Sequence, residues 1–130
     1  MFEMKEEYKI GISNIDKEHE KLFEIGEQTY QLLKDTYATD KYDRIVELIQ
    51  ELRDYTAYHF KNEEDYMESI NYKRLFTQKM DHANFIKKLD EINLAKVDQN
   101  QDEAIMGILT FLNRWLTNHI LEKDFLIVEK

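Results

Sequence analysis

Four histidines, His19, His59, His82 and His119, carry most of the chemistry open to this chain. Two polar residues stand at helical spacing beside them: Glu63, four residues after His59, and Gln78, four residues before His82. Side chains four apart share a helix face, so each pair can reach one metal ion or two adjacent ones. There is no cysteine, which removes disulfides, thiolate ligands and cysteine nucleophiles. Imidazole and carboxylate without thiolate suit Fe, Mn or Zn and argue against Cu(I) or an iron–sulfur cluster. A lone histidine on a buried face is more often a hydrogen-bonded core residue than a ligand. Only the joint pattern points to a metal.

The elements that must position these residues are helices. The chain has 130 residues, no Pro and three Gly, a length suited to one domain with its own core. Glu, Lys, Leu and Ile are abundant, and apolar residues recur every three or four positions. Four helices are predicted, over about residues 16–37, 41–69, 72–96 and 102–123, following an extended arm at about residues 1–14. Ser13, Asn14 and Asp16 are all candidate N-caps for the first helix. The short breaks between helices force antiparallel neighbours. The expected fold is all-α: an antiparallel up-down-up-down four-helix bundle, with residues 1–130 as one domain.

In an antiparallel hairpin, residues equidistant from the loop lie at one height. The midpoint of His19 and His59 is residue 39, inside the first break. That of His59 and His82 lies between residues 70 and 71, inside the second, and that of His82 and His119 between 100 and 101, inside the third. All four histidines, one per helix, therefore fall in a single core layer. Glu63 and Gln78 also reflect about the second break and form the next layer. A buried layer of imidazoles beside a carboxylate is costly when empty, and metal coordination satisfies every lone pair together. Bundle cores lined by His and carboxylate are the familiar home of di-iron sites.

Taken together, GISNIDKEHEKLF at 11–23, HFKNEEDYM at 59–67, HANF at 82–85 and WLTNHILEKD at 115–124 resemble the hemerythrin family, in its bacterial single-domain form. The resemblance covers nearly the whole chain. It implies two non-haem Fe ions, carboxylate- and oxo- or hydroxo-bridged, that bind dioxygen reversibly in an oxygen carrier, store or sensor. By position, His19 and His59 would hold the iron open to dioxygen, His82 and His119 the other, and Glu63 and Asp124 would bridge them. The family's apolar oxygen pocket corresponds to Leu22, Phe60, Trp115, Leu116 and Ile120.

Two positions sit awkwardly in that pattern. Asp124 lies five residues after His119, about 140° around an ideal helix, where periodicity alone prefers Glu122. Choosing Asp124 requires the helix to unwind or bulge there, and Glu122 is then a solvated charge. The family also places a fifth histidine where this chain has Gln78. Gln is a harder and weaker ligand for Fe(II) than imidazole. Gln78 ligates through its oxygen, or holds a water, or leaves the second iron weakly bound. An extra open position would move the site toward oxidase- or peroxidase-like chemistry, the alternative to a dioxygen carrier. A redox-responsive module with a partly occupied iron site is a further alternative.

The remaining features read as structure. With 27 acidic and 18 basic residues the net charge is −9, which argues against nucleic acid or an anionic membrane as partner. The eight Tyr, seven Phe and one Trp are then core and boundary packing rather than a base-stacking platform. Glu64, Asp65 and Glu68 read as a solvated face, as do Lys17, Glu18, Glu20 and Lys21 around His19. Tyr66 is a candidate hydrogen-bond donor near the metals. No apolar run is long enough to span a membrane and the first residues lack a signal-peptide core. The expected protein is a cytoplasmic monomer whose partner is dioxygen or a small anion.

Overall fold

The structure is a computed structural model, described over residues 5–35, 39–119 and at Asp124. Its helices are α1 (Ser13–Lys34), α2 (Tyr42–Ser69), α3 (Leu75–Asp90), α4 (Leu94–Gln99) and α5, described over Gln101–His119. There is no strand among the described residues. The four long helices pack as a bundle in which α1 lies between α2 and α5, and α2 between α1 and α3. Their shared core is aliphatic, with Ile25, Ile45, Leu52, Ile105, Leu109 and Leu112 almost wholly buried.

Residues before α1 are tied down by a side chain. Gly11 has φ +93, a left-handed conformation that glycine adopts at little cost. This brings the N–H groups of Ile10 and Gly11 onto the Asp16 carboxylate at 2.8 and 3.1 Å. Asp16 thus serves the incoming arm, and Ile12, the residue at the cap, makes no side-chain cap bond. A short 3₁₀ turn, Glu6–Tyr8, interrupts the arm, and Tyr8 stacks on Phe23 of α1 at 5.3 Å.

The turn between α2 and α3 is set by Asn71, whose φ of 54 ends α2. Tyr72 N–H bonds to Met67 C=O and Asn71 N–H to Glu68 C=O, the paired closure of a Schellman turn, with Asn in the left-handed position. Tyr72 packs on Met67 below it. This closure delays α3 to Leu75, later than the expected 72.

The third predicted helix, 72–96, is in fact two. It stops at Asp90, and Asn93 starts α4 by accepting the N–H groups of Ala95 and Lys96. Capping by a side-chain oxygen competes with continuing the helix. The break lets Val97 turn inward and close the core. At α5, Asn100 and Glu103 exchange hydrogen bonds across the first turn, a close relative of the capping box. Lys41 then clasps this end of the bundle, its Nζ 3.0 Å from Asp102 and its N–H on Gln101 Oε1.

Candidate metal centre

Each long helix delivers one imidazole to a common point at the opposite end of the core. His19 comes from α1, His59 from α2, His82 from α3 and His119 from α5, and all are at most 4% exposed. Glu63, one turn beyond His59 on α2, reaches the same point with no exposed surface. Asp124 arrives there as well, fully buried and in π-helical conformation. A π turn bonds i to i+5. The π conformation at Asp124 is the kind of local bulge that the choice of this residue requires. Glu122 lies outside the described residues.

The two carboxylates each straddle the histidines. Glu63 Oε2 lies 3.4 Å from His19 Nε2 and 3.1 Å from His59 Nε2, while its Oε1 lies 3.1 Å from His82 Nε2 and 3.7 Å from His119 Nε2. Asp124 presents Oδ2 to His19 Nε2 and Oδ1 to His119 Nε2, both at 3.1 Å. Two metal-sized triads result, His19–His59–Glu63 and Glu63–His82–His119, with ligand atoms within 4.8 Å of one another. Glu63 belongs to both.

Behind the imidazoles stand two further carboxylates that sequence reasoning assigned to solvent. Glu18 Oε1 accepts from His59 Nδ1 at 2.7 Å, and Glu64 Oε2 accepts from His82 Nδ1 at 2.8 Å. Glu18 is only 8% exposed and is held in turn by Asn62 Nδ2. A proton kept on Nδ1 leaves the Nε2 lone pair pointing inward, the arrangement that orients histidine ligands. The sequence does hold a signal: Glu18 precedes His19 and Glu64 follows Glu63. A neighbour along a helix is rotated about 100° from the core-facing residue, so these carboxylates reach the adjacent helix instead.

Without a metal the centre is a proton trap. Burial pushes His59 down, but the Glu63 charge and the Glu18 hydrogen bond outweigh it and raise His59 to about 10. His119, likewise opposed by burial, is raised to about 9 by Asp124 and Glu63. His19 is raised too, with Asp124 and Glu63 overcoming burial. Burial would raise Glu63, yet the His59 charge and the imidazoles of His119, His19 and His59 facing its oxygens hold it well below the usual carboxylate range.

The donor set fits a metal pair on a direct observation. His19 Nε2, His59 Nε2, both oxygens of Glu63 and Asp124 Oδ2 are buried without a hydrogen-bond partner. Unsatisfied buried polar atoms are rare and cost about 1–3 kcal/mol each. Their convergence is the mark of a site shaped for cations. Residues 10–130 match the Hemerythrin HHE cation binding domain. The chain belongs to the hemerythrin family. Similar curated proteins include a bacteriohemerythrin of Clostridium acetobutylicum, 49% identical over 124 residues, covering 95% of this chain and 96% of the relative. A bacteriohemerythrin of Pseudomonas paraeruginosa is 33% identical over 88% of this chain and 71% of its own length. Myohemerythrin-1 of Phascolopsis gouldii is 28% identical over 92% and 86% respectively.

Within this hemerythrin bundle the expected apolar residues are distributed unevenly. Leu22 and Leu116 are fully buried. Phe60 stacks on His82 with centroids 4.0 Å apart, and Trp115 stacks on His119 at 4.2 Å. Both rings thus back the His82–His119 pair. Ile120 lies outside the described residues. Between α3 and α5 a groove of about 800 Å³ runs from Glu103 and Met106 to Trp115 and His119. Gln78 is buried at the centre and its Nε2 donates to Asp124 Oδ1 at 3.4 Å. Tyr66 packs instead against Met67 and Tyr72. No helix among the described residues is long and apolar enough to cross a membrane.

Proposed function

We propose that the chain binds two non-haem iron ions and, through them, one dioxygen molecule reversibly, serving as an oxygen carrier, store or sensor. His19 and His59 hold one iron, His82 and His119 the other, and Glu63 and Asp124 bridge them. The observation that carries this reading is the straddling of both carboxylates, each with one oxygen toward each histidine pair. Membership of the hemerythrin family supports a binding protein over the oxidase- or peroxidase-like alternative.

When bound, reduced iron supplies the electrons that reversible dioxygen binding draws upon. The chain's own residues supply the rest. Glu18 and Glu64 fix the ring orientation and tautomer of His59 and His82. Phe60 and Trp115 cover His82 and His119 with hydrocarbon, which limits water at the centre and disfavours charge separation. The raised histidines release their protons when metal enters, so uptake is linked to pH.

The test is an iron count on purified protein, followed by repeated cycles of reduction, air exposure and deoxygenation monitored by visible absorption. Two irons per chain and a band that appears and vanishes over several cycles are expected. Fewer than about one iron per chain, or a band that never reverses, overturns the reading.

A further inference from the structure

The two histidine pairs are given matching donors. The His19–His59 pair has Glu63 Oε2 and, at His19, Asp124 Oδ2; the His82–His119 pair has Glu63 Oε1 and, at His119, Asp124 Oδ1. Two imidazoles and two carboxylate oxygens occupy about four of six positions on an octahedral ion, and the oxo or hydroxo bridge of the di-iron reading a fifth, which leaves one position at each iron. By this count neither iron is saturated by protein, and small molecules have room at both.

Gln78 breaks the balance between them. Its side chain is 2% exposed, and it touches Asp124 through the oxygen that faces His119, not the one that faces His19. The edge it turns to Asp124 is N–H, which donates to a carboxylate and cannot ligate a cation. Its Oε1 has no hydrogen-bond partner. The Asp124 carboxylate beside it, when ionised, is an acceptor and cannot satisfy it. A buried carbonyl oxygen in this position calls for a donor from outside the protein, and water is the smallest that fits such a role.

Resting on the di-iron reading, we propose that the His82–His119 iron keeps an exchangeable position beside Gln78. Water occupies it, donating one hydrogen bond to Gln78 Oε1, and a small anion displaces that water. The centre then takes two small ligands, one at each iron. Gln78 is a positioning residue in this arrangement: it holds Asp124 with one end of its amide and the water with the other.

The experiment is an azide titration of the oxidised, iron-loaded protein, read by visible absorption and calorimetry after each preparation has been assayed for iron. Wild type is expected to bind two azide ions per chain, and Gln78→His only one, because imidazole fills the position. Gln78→Ala should still bind two. Wild type with two irons and a single azide overturns the proposal alone. If in addition Gln78→Ala gains a second azide, Gln78 is itself a ligand. Fewer than two irons in wild type overturns the di-iron reading and this proposal with it.

Discussion

Fourteen residues, about 21 Å of helix, separate Ile45 from His59 on α2 and Ile105 from His119 on α5. Around the isoleucines, Leu52, Leu109 and Ile25 pack with hardly any exposed surface. Around the histidines, Glu63, Gln78 and Asp124 are buried just as completely. The aliphatic end is held by non-directional burial, worth about 1.5–3 kcal/mol for each large side chain. The polar end carries groups that burial penalises, and they persist together because each faces an opposite charge or a common cation site. One end makes the bundle, and the other spends part of that stability on a centre.

The sharpest way to break this contrast is to remove the group that both metal triads share. Glu63→Gln should abolish uptake of both irons while leaving the helix content intact, as iron assay and circular dichroism would show. Loss of only one iron would mean the halves of the centre are independent. At the opposite end, Ile45→Ala should cost about 2–5 kcal/mol in denaturant unfolding, with the iron count unchanged. A fall in iron content would show that the two ends are not separable.

Smaller effects should come from the residues behind the ligands. Glu18→Gln and Glu64→Gln are each expected to weaken iron binding about 10–100-fold, measured by competition with a chelator. Equal affinity in the variants would return both residues to the solvated role their sequence context suggests.

Acidity should separate the ends most quietly. In the metal-free protein His59 and His119 are raised to about 10 and about 9 from an ordinary 6.5. Their stabilisation is fully present below pH 6.5 and is lost as pH rises toward 9–10, because the folded state binds the extra protons. Glu63, lowered from 4.5, contributes above that value and loses its effect as pH falls below it. Unfolding midpoints of metal-free protein should therefore peak between these limits and decline through the alkaline range. Ile45→Ala should shift that curve without changing its slope. Metal loading should reverse the alkaline decline, since iron needs the deprotonated imidazoles.

The helical content and the histidine layer were legible because both depend on period. Apolar spacing names the buried face, and reflection about short loops sets relative height. The split between α3 and α4 was not legible, because Asn93 acts through a local cap that does not disturb the apolar repeat around it. Nor were Glu18 and Glu64, which look like any charged residue beside a core position until the neighbouring helix supplies a partner. The choice of Asp124 over Glu122 came from family resemblance against periodicity. The structure places Asp124 within 3.1 Å of His19 and His119, in π conformation at that residue.

Sequence by itself determined that this chain forms long amphipathic helices, that four imidazoles share one level, and that no thiolate competes for metal. These follow from composition and from two helical constants, the rise and the turn. Only the tertiary structure decided which oxygen of each carboxylate faces which histidine pair, which imidazoles are backed by Glu18 and Glu64, and that Gln78 meets Asp124 on the His119 side. Those are relations between side chains on different helices, fixed by how the bundle packs, and no spacing along one chain contains them.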